Sequence, residues 1–115
     1  MSIERRDGVV VARLGAEFEL SSAVGVHDAM LAALTNRDHG IVVDLQEVSF
    51  MDSAGINALF DMAERLHGRQ QKVVIVLPER AVVRRVAELV GLGSTVGICE
   101  TLDEAVAAVP PADPA

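Results

Sequence analysis

Three short runs constrain this chain more than anything else in it: Val9-Val10-Val11-Ala12, Ile41-Val42-Val43 and Val73-Val74-Ile75-Val76-Leu77. Each is apolar at consecutive positions and rich in β-branched residues. A strand that reads this way is covered on both faces, as in the middle of a largely parallel sheet. Between the runs the period becomes helical. Ala23, Val26, Met30, Ala33 and Leu34 follow two capping candidates, Ser21 and Ser22, and predict a helix to about Thr35. Ile56, Leu59, Phe60, Ala63 and Leu66 make one apolar stripe on a second helix, from Ser53 to Gly68. A third helix is expected to open at Glu79 or Arg80, with Val82, Val83, Val86, Leu89 and Val90 inward, and to close at Gly91 and Gly93.

The ends complete the pattern. Asp7-Gly8 predicts a hairpin between strands at Ile3–Arg6 and Val9–Leu14. Val96–Cys99 reads as a short strand, and Thr101-Leu102-Asp103-Glu104 as a capping box opening a last helix with Ala105, Val106 and Val109. The order β-β-α-β-α-β-α-β-α predicts an α/β fold over residues 1–109. A single domain is expected, with a mixed, mostly parallel five-stranded sheet and about four helices packed against it. Residues 110–115, Pro-Pro-Ala-Asp-Pro-Ala, read as a disordered tail.

Composition narrows the function classes. A net charge of −7 over 115 residues repels phosphate backbones and anionic lipid. The basic residues are dispersed, and Trp and Tyr are absent, which removes the usual stacking platform for nucleic-acid bases. No apolar run reaches the ~20 residues of a membrane helix, and the N-terminus does not read as a secretory signal. With one cysteine, Cys99, no internal disulfide forms, in keeping with a reducing cytosol. A cytoplasmic protein is expected. His27, His39 and His67 have no i, i+4 pairing, so no metal site or other cofactor is expected.

What chemistry remains lies at the junction Ser49-Phe50-Met51-Asp52-Ser53-Ala54-Gly55-Ile56-Asn57, where a loop after a buried strand runs into a helix. An N-cap role for Asp52 or Ser53 is the plain reading, since both residue types accept hydrogen bonds from free first-turn amides. A serine-hydrolase elbow fails because Met51 stands where that turn needs glycine. No enzyme activity is expected. A modifiable switch is the other reading. A phosphate on Ser53 adds about 1.5–2 negative charges. The helix N-terminus favours it by about 0.3–2 kcal/mol. Asp52 opposes it, since unit charges about 6 Å apart at effective dielectric 20–80 cost about 0.7–2.8 kcal/mol, roughly doubled for a dianion, and the two effects nearly cancel. Folding therefore tolerates the modification. An interface, which must strip the phosphate of water, does not.

Val43-Asp44-Leu45 followed by Phe50-Met51-Asp52-Ser53-Ala54-Gly55, together with the order of elements, resembles the STAS family, specifically bacterial anti-sigma factor antagonists. The similarity runs over about residues 3 to 109, with Val86–Leu92 resembling the family's late helix ending in Gly-Leu. The resemblance implies that Ser53 is the phosphorylated serine and that the partner is an anti-sigma factor which is also a serine kinase. The unmodified protein would bind that kinase and release its sigma factor; a phosphatase, of the PP2C type, would reverse the modification. The family's first long loop commonly reads Gly-Glu-Leu-Asp; here Ala16-Glu17-Phe18-Glu19 stands in its place. The expected partner surface is Glu17, Glu19, Ser21, Ser22, Ser49, Met51, Asp52, Ser53, Ala54, Gly55, Ile56 and Asn57. The alternative is a STAS-type subunit of a lipid-transport ATPase complex, or a sensory scaffold, using the same helix surface without a phosphate switch.

Overall fold

The computed structural model describes residues 1–15, 17–18 and 22–109, with residues 17 and 18 as backbone. The expected tail from Pro110 lies outside the described residues. The elements in chain order are β1 (Ser2–Arg6), β2 (Val9–Arg13), β3 (Glu17–Phe18), α1 (Ala23–Ala33), β4 (Gly40–Asp44), β5 (Phe50–Met51), α2 (Ser53–Gly68), β6 (Lys72–Val76), α3 (Arg84–Leu89), β7 (Gly97–Cys99) and α4 (Leu102–Ala108).

The three apolar runs sit where consecutive apolarity places them, side by side in the middle of a five-stranded sheet ordered β1-β2-β4-β6-β7. β1 pairs antiparallel with β2 through the Asp7-Gly8 turn, whose two residues take φ of 49° and 80°. The remaining neighbours run parallel. Alternate side chains then feed two cores. Val10, Ala12, Ile41, Val43 and Ile75 meet α1, α2 and α3 on one face. Val9, Val11, Val42, Val74 and Val76 meet Ala105 and Val109 at α4 on the other. Strands covered twice need no polar face, and these have none.

Close approach explains Gly40. A Cβ there would collide with the Lys72 carbonyl oxygen across the β4–β6 pair, so this position takes only glycine without a backbone shift. At the other end of β4, Asp44 is 6% exposed. Its carboxylate accepts from the Gln46 amide at 2.9 Å and from Gln46 Nε2 at 3.1 Å. That bond turns the chain out of the strand and toward the Ser49–Asp52 loop.

Two details differ from the sequence reading. The third helix is short: turns with Ala81 N donating to Pro78 O and Arg84 N to Ala81 O precede it, and regular helix begins only at Arg84. Of its expected inward set, Val83 is buried and Val86 partly so, whereas Val82, Leu89 and Val90 are exposed. Three valines in five residues disfavour a helix at that point, and a six-residue helix has room to bury one stripe only. In the capping box, the Thr101 hydroxyl does accept from the Glu104 amide at 3.1 Å, but the Glu104 carboxylate reaches the Thr101 hydroxyl rather than the backbone.

Candidate functional site

The site is built at the C-terminal end of the sheet by a small second ladder. β3 and β5 pair in parallel, Glu17 with Phe50 and Phe18 with Met51. This two-residue pairing brings the first long loop beside the entrance to α2. Val48 and Met51 point into the core, at 2% and 6% exposure, and pin the loop. Phe50, between them, is turned outward and stands 49% exposed.

Asp52 settles which residue is the cap. Its Oδ1 accepts from the Ala54 amide at 3.0 Å and the Gly55 amide at 3.2 Å, and its carbonyl takes the first helical bond, from Ile56 N at 3.1 Å. Ser53 is thereby the first helical residue and has no capping duty. Its side chain is exposed, and its hydroxyl makes no hydrogen bond among the described residues. Ser49 and Asn57, one turn along, are exposed on either side; Asp52, Ala54 and Ser22 are half-buried. Met51, Gly55 and Ile56 are buried and hold the loop and helix to the core. Ser22 stands at the start of α1, where its side chain does not cap the helix. Glu19 and Ser21 lie outside the described residues, and Glu17 is described as backbone within β3.

Among the described residues no side chain is hydrogen-bonded to the Ser53 hydroxyl so as to activate it as a nucleophile. Both ring nitrogens of His27, the histidine of the adjoining helix, face carboxylates: Nε2 is 2.6 Å from Asp61 and Nδ1 3.1 Å from Asp28. Among the described residues no group of three His, Cys, Asp or Glu side chains is placed to hold a metal ion. Among the same residues no helix is long and apolar enough to cross a membrane. The Cys99 thiol is half-buried in β7; burial first, and Glu104 second, push its pKa up and away from the reactive thiolate. Gly91, with φ of 70°, ends α3 in the left-handed conformation of a helix stop.

Residues 1–105 match the description of the STAS domain. The chain belongs to the STAS domain family. Among relatives of this STAS domain is the anti-sigma-F factor antagonist RsfB of Mycobacterium tuberculosis, 28% identical over 95% of this chain and 88% of that protein. An anti-sigma factor antagonist from Mycobacterium paratuberculosis, known from its crystal structure, is 31% identical over 94% of this chain and 91% of its own, with a TM-score of 0.79. The fold is also that of SpoIIAA from Bacillus. The unphosphorylated form matches with a TM-score of 0.74 at 23% identity over 94% of both chains, and the phosphorylated form with 0.68 at 22% over 95% and 98%.

Some of the exposed surface around Ser53 escapes sequence reasoning. Phe50 lies inside the motif, where the sequence does not distinguish it from the buried apolar residues Val48 and Met51 on either side. Val24, 67% exposed in the first turn of α1, reads in sequence as one more apolar helix residue. Asp61 and Arg65, which fall off the apolar stripe of α2, are joined to each other at 2.7 Å and, through Asp61, to α1.

Proposed function

We infer that this STAS domain is an anti-sigma factor antagonist acting in the cytoplasm: with Ser53 unmodified it binds an anti-sigma factor that is also a serine kinase, and phosphorylation of Ser53 ends that binding. The observation that carries the reading is the division of labour at the start of α2, where Asp52 caps the helix and leaves the Ser53 hydroxyl exposed. Two relatives of near-complete overlap carry the description anti-sigma factor antagonist, which supports the class of partner.

The electrostatics support a switch rather than an unfolding signal. The amides of Ala54 and Gly55 are already bonded to Asp52, so a phosphate on Ser53 gains little from them and faces the Asp52 carboxylate. It therefore points outward and keeps its water. A partner pressed onto Phe50, Ser53 and Asn57 has to remove that water from a group of charge near −2, at a cost of several kcal/mol unless a cation meets it. Each ~1.4 kcal/mol is a tenfold loss of affinity. SpoIIAA, of the same fold, exists in both forms. A PP2C-type phosphatase would return the domain to its binding state.

The test is binding of Ser53→Ala and Ser53→Asp to the cognate kinase. Ser53→Ala binds as the native chain does and Ser53→Asp binds at least tenfold more weakly. Equal affinity for both variants counts against the switch.

A further inference from the structure

Between α1 and α2 lies a groove of about 360 Å³ that includes Ala54, the residue after Ser53. Small side chains (Ala23, Ala54, Ala58) line it, with exposed Val24 and Asn57 at its rim. Further along it lies His27, whose side chain is 13% exposed. Its ring spans the two helices, with Nδ1 3.1 Å from Asp28 Oδ1 on α1 and Nε2 2.6 Å from Asp61 Oδ2 on α2. Arg65 Nε contacts the same Asp61 oxygen at 2.7 Å. Arg65 first, and His27 less strongly, hold the Asp61 carboxyl below the usual carboxylate range. The charged groups facing the ring are thus Asp28 on its own helix and Asp61 with Arg65 on α2; no other hydrogen bond or ion pair to it is made among the described residues. An ionised carboxylate only accepts, and a neutral imidazole has one N–H and one lone pair. Both bonds coexist only with a proton on each nitrogen.

We propose that His27 is a proton-dependent positioning residue for partner binding, which as an imidazolium straps α1 to α2 and sets the shape of the groove beside Ser53. The proposal rests on the antagonist reading above, because α1 follows the loop that pairs with the Ser53 entrance and α2 carries Ser53 itself. Loss of one proton breaks one of the two bonds. The bond to Asp28, whose side chain is 71% exposed, is the one released to water, while that to Asp61 loses its charge assistance and with it about half its strength. The link between α1 and α2 weakens, and the groove rim becomes one charge more negative. Binding is tightest with a proton on each ring nitrogen and weakens when one of the two is lost.

The experiment measures affinity for the cognate anti-sigma factor kinase, without ATP, from about pH 5.5 to about pH 8, for the native chain and for His27→Gln. Glutamine keeps one amide donor for a carboxylate and does not titrate. The native chain is expected to lose about fivefold in affinity across this window relative to His27→Gln, so that any titration of the partner cancels in the comparison. In parallel, ¹⁵N shifts of the His27 ring in the free domain are expected to show both nitrogens protonated at the acid end. Parallel affinity profiles for the two proteins, or a ring neutral at one nitrogen across the whole window, overturn the proposal and leave the antagonist reading standing. Absence of binding by the native chain at every pH removes the antagonist reading, and this proposal with it.

Discussion

Replacing Asp52 or Ser53 with alanine separates structure from signalling at adjacent residues. Asp52→Ala removes the acceptor of two first-turn amides, at 3.0 and 3.2 Å, and a negative charge from the positive end of a sixteen-residue helix. Loss of an N-cap costs about 0.5–2 kcal/mol. With two amides orphaned and the dipole interaction lost as well, the upper half of that range, about 1–2 kcal/mol, is expected. A domain of this length has an unfolding entropy of about 0.2 kcal/mol/K, so each kcal/mol moves Tm by about 4 °C. Asp52→Ala should therefore melt about 4–8 °C below the native chain. Ser53→Ala removes a hydroxyl without a capping role and places the best helix former in the first turn, so its Tm should stay within about 2 °C. Asp52→Asn is the control: asparagine caps as well as aspartate, and most of the stability should return. Thermal melts by circular dichroism decide it. If Ser53→Ala costs as much as Asp52→Ala, or if asparagine fails to rescue, the assignment of cap and switch is wrong.

Two further outcomes test the frame that holds the site. Gly40→Ala, with its Cβ driven into the Lys72 carbonyl, should lose about 2–3 kcal/mol in urea unfolding; a change below about 0.5 kcal/mol would mean that β4 and β6 separate more readily than their register implies. Asp38, its carboxylate 2.8 and 2.9 Å from Arg5 and 2.8 Å from the Thr35 amide, has its pKa lowered to about 2, chiefly by Arg5. A depressed carboxyl pKa stabilises the fold above the ordinary value of 3.8 and loses that contribution as pH falls toward 2. The gap corresponds to at most about 2 kcal/mol. Because Arg5 is half in solvent and screened, about 1 kcal/mol is expected. Asp38→Asn should therefore fall short of the native chain at pH ~5 and converge with it near pH 2; a constant difference would show that the ion pair contributes nothing.

Much of this architecture is legible before any coordinates. Consecutive apolarity in Val9–Ala12, Ile41–Val43 and Val73–Leu77 identifies the three central strands, because only strands buried twice dispense with a polar face. Asp7-Gly8 and Gly91 mark three of the four described positions where φ is positive; the fourth, Gln70, carries no such signal. The stripe on α2 locates its start and end. Segment 78–90 resists the same reading. Periodicity says which positions are apolar, not which find a partner, and here Val83 and Ala87 reach the core while Val82 and Leu89 face water. The β3–β5 ladder is invisible for a different reason: two residues carry no period, and its partners lie 33 positions apart. At the candidate site, the motif exposes the Asp-Ser pair but leaves open which residue caps, since either side chain can reach a free amide. The His27–Asp61 bridge joins positions 34 apart on two helices, and no local spacing encodes it.

The most direct measurement is calorimetric titration of the cognate anti-sigma factor kinase with this chain, before and after phosphorylation mapped by mass spectrometry to Ser53. The unmodified form should bind, and the modified form should bind at least a hundredfold more weakly while melting within about 4 °C of it, a change worth about 1 kcal/mol. Undiminished binding by the phosphorylated chain, or a loss of binding that accompanies unfolding, would contradict a switch built on an exposed serine beside a separate cap.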